Sequence, residues 1–264
     1  MEIKELLQLG RLEESLARLQ DQVRQNPADA KLRVFLFQLL CVLGQWERAA
    51  TQLKVLADLS AETMLMARIF EPVLQCERVR AEVFAGQRLP VIFGEPAEWM
   101  GWLVQASVMV ARAEFAAAAD LRNQALEAAP TSPGTIGGEA FEWIADADSR
   151  LGPMLEAFVN GNYYWIPFCR IQKIESEPPV DLRDLVWLPV QFTWVNGGNA
   201  PGHIPARYPG TEAVADGPLR LARKTDWQER PGETFTGLGQ RILNTDAGEY
   251  PLLQCRTIEM TPPG

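Results

Sequence analysis

The segment DADSR, residues 146–150, places two aspartates two positions apart and follows them with an arginine. With Glu142, the side chains of Asp146 and Asp148 could supply three carboxylates to a divalent cation, or a pair for general acid–base catalysis. The segment lacks the glycine and the later glutamate of a calcium-binding loop. A structural interpretation is also open, in which one aspartate caps a short helix near Ser149 and Arg150 pairs with a carboxylate. We favour the structural interpretation of Asp146, Asp148 and Arg150 and keep a metal-assisted hydrolase as the alternative.

Other residue types that carry chemistry are scarce. His203 is the only histidine, and it lies in the Gly/Pro-rich segment APGHIPARYPG. The four cysteines are scattered, with no CxxC pair, whereas a zinc site needs clustered ligands. There is neither a glycine-rich phosphate loop nor a nucleophile elbow. We therefore expect no catalytic residues, no metal and no cofactor, and predict that the protein is not an enzyme.

The charge balance restricts the partners. The chain of 264 residues has 34 acidic and 25 basic residues, a formal net charge of −9. This balance argues against a general nucleic-acid-binding protein, since phosphate contacts need clustered Lys and Arg. The N-terminal segment is acidic and amphipathic, unlike a signal peptide, and no apolar run reaches the length of a membrane span. These features favour a cytoplasmic protein that binds neither nucleic acid nor membrane.

A repeat is visible in the first half of the chain. Residues 7–19, LQLGRLEESLARL, align with residues 41–53, CVLGQWERAATQL, so that Gly10 and Gly44 correspond at a spacing of 34. A glycine between two apolar-periodic segments, with a large apolar residue two positions later, is typical of a tetratricopeptide repeat. A weaker third copy at 111–130 has Ala113 in the glycine position.

We predict that residues 1–130 form six or seven helices stacked in pairs, because one pair cannot bury its own apolar face. Pro72 is expected to bend or split the helical segment 61–86. Such arrays hold peptides or helices on their concave side. The residues of the leading helix expected to face that side are Lys31, Val34, Gln38 and Val42.

The sequence changes character after the break TSPGTIGG at 131–138. Asn160-Gly161 lies between two apolar runs, which is a strong hairpin signal. Residues 185–195 are β-branched and aromatic, and Pro189 predicts an edge position or a bulge. Residues 252–260 are predicted to be the final strand. The predicted fold is α+β: a TPR-like helical domain (1–130), a linker (131–138) and a smaller, mostly antiparallel β domain (139–264).

Two further features of the second half could serve recognition. In DLRDLVW, residues 181–187, Arg183 and Trp187 could meet a partner, because Arg and Trp are enriched in interface hot spots. Burial of Trp187 in the core is the competing interpretation. The chain has eight tryptophans, and we expect several where the helices dock on the β domain, namely Trp99, Trp102, Trp143 and Trp165.

The motifs taken together resemble a known family. The repeat segment CVLGQWERAATQL, followed by DADSRLGPMLE, NGNYYWIPF, PPVDLRDLVW and IPARYPGTE, is similar to the ImpE/TagJ (SciE-type) family of type VI secretion accessory proteins. The resemblance implies a non-enzymatic cytoplasmic adaptor. It also implies binding to an N-terminal helix of the small contractile-sheath subunit and a link to the ClpV-type disassembly ATPase.

A third possibility is a scaffold that recognises the C-terminal carboxylates of peptides. It would need several basic residues on the concave helices, and the sequence offers only Lys31 and Arg33 in one repeat. The sequence leaves the oligomeric state and the partner-binding surface open.

Overall fold

The computed structural model describes residues 2–261. Its N-terminal part is helical, because apolar residues recur at helical spacing; in the second helix, for example, Leu12, Leu16, Leu19 and Val23 are all buried. The helices of this part are α1 (Ile3–Gln8), α2 (Leu12–Gln25), α3 (Ala30–Val42), α4 (Trp46–Ala57), α5 (Ala61–Phe84), α6 (Glu98–Ala111) and α7 (Phe115–Ala128).

The turns of the predicted repeat are present. Gly10, Gly44 and Ala113 each lie between two helices and have positive φ angles of 73°, 66° and 60°. Glycine adopts this conformation at no steric cost, whereas alanine is strained there. The 34-residue period would place another turn near position 78, but this position lies inside the 24-residue helix α5. Pro72 does not split that helix.

The C-terminal part is built from strands, with one short helix, α8 (Gly217–Arg220). The strands are β1 (Val91–Ile92), β2 (Gly134–Ile136), β3 (Glu139–Phe141), β4 (Ile144–Asp146), β5 (Met154–Val159), β6 (Asn162–Pro167), β7 (Ile171–Ser176), β8 (Trp187–Trp194), β9 (Asn199–Pro205), β10 (Thr225–Arg230), β11 (Thr234–Gly239), β12 (Ile242–Thr245), β13 (Glu249–Pro251) and β14 (Thr257–Met260).

The strands form three sheets. A nine-stranded sheet has the order β1-β6-β5-β9-β8-β7-β14-β2-β3, a three-stranded sheet has the order β13-β12-β4, and β10 pairs with β11. All pairs are antiparallel except β1 with β6. The predicted α+β class, helices followed by a mostly antiparallel β region, is confirmed.

Some local predictions were right and others were wrong. Asn160-Gly161 forms the turn between β5 and β6. Pro189 marks neither an edge strand nor a bulge, because β8 lies between β7 and β9 and its register with β9 continues without a shift through Pro189. Pairing with β7 stops at Val190, so the missing N–H of Pro189 leaves no gap in that ladder. The final strand covers only Thr257–Met260, since Leu252–Gln254 form a 3-10 turn.

The large sheet separates two hydrophobic clusters. Alternation along β5 sends Met154 and Phe158 to one face and Leu155 and Ala157 to the other. The first face shares one cluster with the helices. The second face packs with residues of the three-stranded sheet such as Leu243. The helices and the large sheet therefore bury each other's apolar surfaces.

The helical and β parts are also connected through the sheet itself. Strand β1, which lies between α5 and α6 in sequence, extends the large sheet beside β6. Within the segment predicted as a linker, Gly134–Ile136 form β2 and pair with β14 and β3. Trp165 contacts Phe84 of α5, with ring centroids 5.8 Å apart, at the predicted helix–sheet junction. Trp143 is 40% exposed and does not pack into that junction.

None of the helices in the described part of the chain has the length and apolar character that crossing a membrane requires.

Candidate functional site

The DADSR segment forms a charged corner beneath the β10–β11 hairpin. Arg150 pairs with Asp148 through two contacts, from Nε to Oδ1 at 2.8 Å and from Nη2 to Oδ2 at 2.6 Å. The Gly237 N–H donates to Asp148 Oδ2 at 2.9 Å, and the Phe235 N–H donates to Ser149 Oγ at the same distance. The segment thus satisfies backbone donors on one edge of β11.

The predicted pairing of Arg150 with one of the aspartates is present, although the segment is a turn and not a short helix. Asp146 is buried and forms an ion pair with Arg241. Glu142 is exposed, and its backbone N–H donates to Asp246. Among residues 2–261 no group of three His, Cys, Asp or Glu could hold a metal ion. Because the two aspartates are held by arginines, the hydrolase interpretation of these three carboxylates is not supported.

A larger buried charge network joins helix α5 to the sheet. Arg80 of α5 donates to both carboxylate oxygens of Glu156 on β5, at 2.7 and 2.8 Å. Arg241 forms a second ion pair with Glu156. Tyr163 donates its hydroxyl proton to Glu156 at 2.8 Å, and Trp165 donates to the Tyr163 oxygen at 2.7 Å. Three donor side chains, those of Arg80, Arg241 and Tyr163, thus contact one carboxylate at the helix–sheet junction. The fourth donor, Trp165, contacts Tyr163.

The network shifts the ionisation of its carboxyl groups in opposite directions. Burial by itself would raise the pKa of Glu156, but the charges of Arg80 and Arg241 outweigh it and lower the pKa to about 2. Burial also acts on Asp146, and there it exceeds the effect of Arg241 and raises the pKa to about 6. Glu156 is therefore the firmly ionised centre of the network at neutral pH.

A second set of contacts fills the inner face of the helical array. Trp187 is fully buried, stacks near Trp46 and Phe70, and donates to Glu77 Oε1 of α5 at 2.6 Å. Arg207 donates to the Val42 carbonyl at the end of α3, at 2.8 Å. A carbonyl group at the C-terminal end of α3, which has no hydrogen-bond donor within the helix, thereby accepts a hydrogen bond from the β part.

The six residues predicted to contact a partner have different environments. Val42 and Trp187 are completely buried, and Gln38 is 9% exposed. Lys31 is exposed, Val34 is partly buried against the core, and Arg183 is half-buried. Arg183 pairs with Asp181 and lies over the Phe70 ring at 4.7 Å. Partner binding by this set stays a prediction, and only Lys31, Val34 and Arg183 have accessible side-chain surface for it.

An apolar stripe on α5 lies beside the filled part of the array. Leu65 and Ile69 are 59% and 46% exposed. At 100° per residue they share a helix face with Cys76, Arg80 and Val83, which pack against the β part. A Cβ added to Gly161 would lie 3.3 Å from Pro72, so the β5–β6 turn touches α5 there. We call Leu65, Ile69, Lys31 and Val34 the open helix face.

Aromatic contacts connect the parts of the open helix face. Phe37 of α3 packs against Phe70 of α5 with ring centroids 5.9 Å apart. Val34 lies one turn before Phe37, and Ile69 directly precedes Phe70. The exposed charges on this part of α5 are Glu62, Arg68 and Glu71. The arrangement is a partly apolar helical surface with charged margins, suited to binding another helix rather than to chemistry.

Comparison with known proteins decides the family. The chain is 48% identical over 259 residues to the type VI secretion system accessory component TagJ of Pseudomonas aeruginosa strain PAO1. The aligned region covers 98% of this chain and 91% of that protein. The family model described as ImpE protein matches residues 138–259.

The chain belongs to the ImpE/TagJ family.

A solved structure supports the fold of this ImpE/TagJ family member. The crystal structure of protein VPA1032 from Vibrio parahaemolyticus superimposes with a TM-score of 0.89 at 26% sequence identity. The match covers 99% of this chain and 98% of that chain. The ImpE model covers the β part, whereas the relatives extend the similarity to the helices.

Sequence reasoning missed Leu65 and Ile69, which have the same helical spacing as the core residues that follow them. Nothing in the sequence marks where the sheet stops covering α5. Arg207 and Arg241 were also missed, although an arginine between apolar segments is buried only when it has hydrogen-bonding or charged partners. Their partners are distant in sequence, so pairing could not be assigned from spacing.

Proposed function

We propose that this protein is a cytoplasmic, non-enzymatic accessory adaptor of bacterial type VI secretion. Its partner is an N-terminal helix of the small contractile-sheath subunit. The observation that carries the proposal is its 48% identity to TagJ over nearly the whole chain. The arginine pairing of Asp146 and Asp148 adds to it, because those carboxylates are occupied within the fold.

The open helix face is the proposed docking surface. Leu65 and Ile69 continue an apolar stripe that the protein's own sheet covers further along α5. A partner helix laid on this stripe would bury the same kind of surface that the sheet buries after Pro72. The net charge of −9 favours a partner helix with basic residues beside its apolar face.

Titration calorimetry with a synthetic peptide of the sheath subunit's N-terminus tests the proposal. We expect binding at micromolar strength or better for the unaltered protein. The double variant Leu65→Glu, Ile69→Glu should weaken binding at least about tenfold, because charges would enter the apolar contact. Leu89→Glu is the matched control, since Leu89 is 65% exposed but follows the C-terminal end of α5. It should bind as the unaltered protein does.

The outcomes of this experiment distinguish an error in the proposed docking surface from an error in the proposed function. If the peptide and the intact sheath subunit both fail to bind, the adaptor function is wrong. If they bind and the double variant binds equally well, the function stands and the partner uses another surface. The link to the ClpV-type ATPase is tested by co-purification, which should require the sheath subunit.

A further inference from the structure

The outer edge of strand β10 is an unpaired strand edge. Residues Asp226–Arg230 are all exposed, and β10 pairs only with β11 among the described residues. An exposed edge of this kind can pair with another chain unless side chains block it.

The hydrogen bonds of β11 identify which backbone groups of β10 face outward. The N–H groups of Phe235, Gly237 and Gly239 donate to Ser149, Asp148 and Thr211, and therefore point away from β10. In an antiparallel pair, the backbone N–H and C=O groups of the residues opposite such positions also point away from the partner strand. Those residues are Glu229, Trp227 and Thr225.

These outward groups are accessible at the centre of the strand. The Trp227 N–H is covered only by the neighbouring Asp226 carboxylate, at 3.0 Å, in an exposed part of the chain. Arg230 donates to Gln228 Oε1 at 3.0 Å on the same exposed face. The side chains of Asp226 and Arg230 can exchange these local contacts for contacts with a partner strand.

The charges of β10 are complementary to β10 itself in an antiparallel, twofold arrangement. When Gln228 lies opposite Gln228 of a second copy, Trp227 lies opposite Glu229 of that copy. The outward-pointing backbone N–H and C=O groups of these residues then face each other. Asp226 then faces Arg230 on both sides of the twofold axis. Opposite charges in directly facing positions stabilise a strand pair.

The two neighbouring twofold registers bring like charges together. Centring the pair on Glu229 places two glutamates opposite each other. Centring it on Trp227 places Arg230 opposite Lys224. Since like charges in facing positions destabilise a strand pair, the sequence of β10 selects the register centred on Gln228.

We propose that the protein forms a twofold homodimer in which the β10 edges of two copies pair antiparallel about Gln228, giving a continuous four-stranded sheet β11-β10-β10-β11. The interface is small, so the dimer is weak and depends on concentration. It does not involve the open helix face and does not depend on the proposed adaptor function.

Sedimentation equilibrium of charge variants tests the proposal. The unaltered protein should show a monomer–dimer equilibrium at roughly 10 to 500 µM, as expected for a small interface. Asp226→Arg and Arg230→Asp should each weaken dimerisation about tenfold or more. The double variant carrying both changes should restore it, because each facing pair regains opposite charges. Asp21→Arg on α2, a matched charge reversal in an exposed ion pair, should have no effect.

A proline pair separates edge pairing from hairpin stability. Glu229→Pro removes an outward N–H and should abolish dimerisation while leaving the melting temperature nearly unchanged. Gln228→Pro removes an N–H that bonds β11 and should lower the melting temperature. A protein that stays monomeric up to about 1 mM, or a dimer insensitive to both charge reversals and to Glu229→Pro, would overturn the proposal.

Discussion

At the scale of the residue, the buried carboxylate of Glu156 is the clearest case of a side chain defined by its partners. Transfer of an isolated carboxylate into the interior is strongly unfavourable, and the group persists only when paired and hydrogen-bonded. Arg80, Arg241 and Tyr163 provide those contacts from a helix, a loop after β11 and the neighbouring strand. The arrangement requires the helices and strands to meet in one particular position.

Glu156 should make the stability depend on pH in the acid range. Its pKa is about 2 in the folded protein and 4.5 for an unperturbed glutamate, so its contribution is fully present above pH 4.5 and is lost as the pH falls toward 2. The stability difference between the protein and Glu156→Gln should shrink by roughly 3 kcal/mol over this window. Urea unfolding at a series of pH values measures it.

The exposed residue Glu127 provides the control for the pH experiment. Glu127→Gln on α7 should leave the free energy of unfolding within about 0.5 kcal/mol of the unaltered protein at each pH. A difference for Glu156→Gln that does not change between pH 5 and pH 2.5 would contradict the assignment.

At the scale of the element, the turns of the helical repeat serve as docking points for the β part. A Cβ added to Gly217 at the start of α8 would lie 2.0 Å from the carbonyl oxygen of Gly10. A Cβ added to Gly44 would lie 2.5 Å from Glu212. The glycines that identify the repeat in the sequence therefore also permit the close approach of the loop that contains Glu212 and Gly217.

Gly217→Ala should destabilise the protein by about 2 kcal/mol, because the new methyl group meets backbone that cannot move away easily. The matched substitution Gly101→Ala should instead stabilise it by about 0.5 to 1 kcal/mol. Gly101 lies inside α6, has no atoms within 4 Å of an added Cβ, and gains helix propensity. Chemical denaturation of both variants is the measurement. Equal effects would mean that the α1–α2 turn does not pack against α8 as described.

At the scale of the whole molecule, the helical array and the sheet share one core. The inner face of the array, where related repeats bind peptides, is filled by Trp187, Arg183 and Arg207 of the same chain. Strand β1 from the helical half is part of the large sheet. The predicted boundary at 131–138 therefore marks the change from helices to strands. Whether the two halves also unfold separately is a different property, which denaturation measures.

We predict that the two halves unfold in one cooperative transition, because neither can bury its apolar surface alone. Far-ultraviolet circular dichroism follows mainly the helices, and tryptophan fluorescence sums the signals of eight tryptophans in both halves, with Trp165 and Trp187 at the junction among them. Their denaturation curves should coincide. A fragment of residues 1–130 should fail to fold on its own, and a stable, helical fragment with a separate transition would refute this prediction.

The sequence by itself was sufficient for the helical character of the first half, for the β5–β6 hairpin and for the family. Period-3.6 apolar spacing, turn glycines and Asn160-Gly161 act over a few residues, and these local signals predicted the helices, their turns and the hairpin. The expectation for Pro189 failed because the edge or interior position of a strand depends on neighbours that are remote in sequence. The partner-binding prediction for Val42 rested on a concave face assumed to be empty. Trp187 was predicted either as part of a recognition edge or as a core residue, and it is buried.

What the sequence determined was a helical first half followed by a β-rich second half, the repeat, the α+β class and membership of the ImpE/TagJ family, because these are carried by local periodicity and by motifs. Only the tertiary structure decided that Asp146 pairs with Arg241, that the sheet covers α5 from Pro72 onward, and that Leu65 and Ile69 stay uncovered. The physical reason is that burial and ion pairing join residues that are distant in sequence, such as Glu13 and Arg220, which lie 207 positions apart. No local pattern records which of these distant residues will meet.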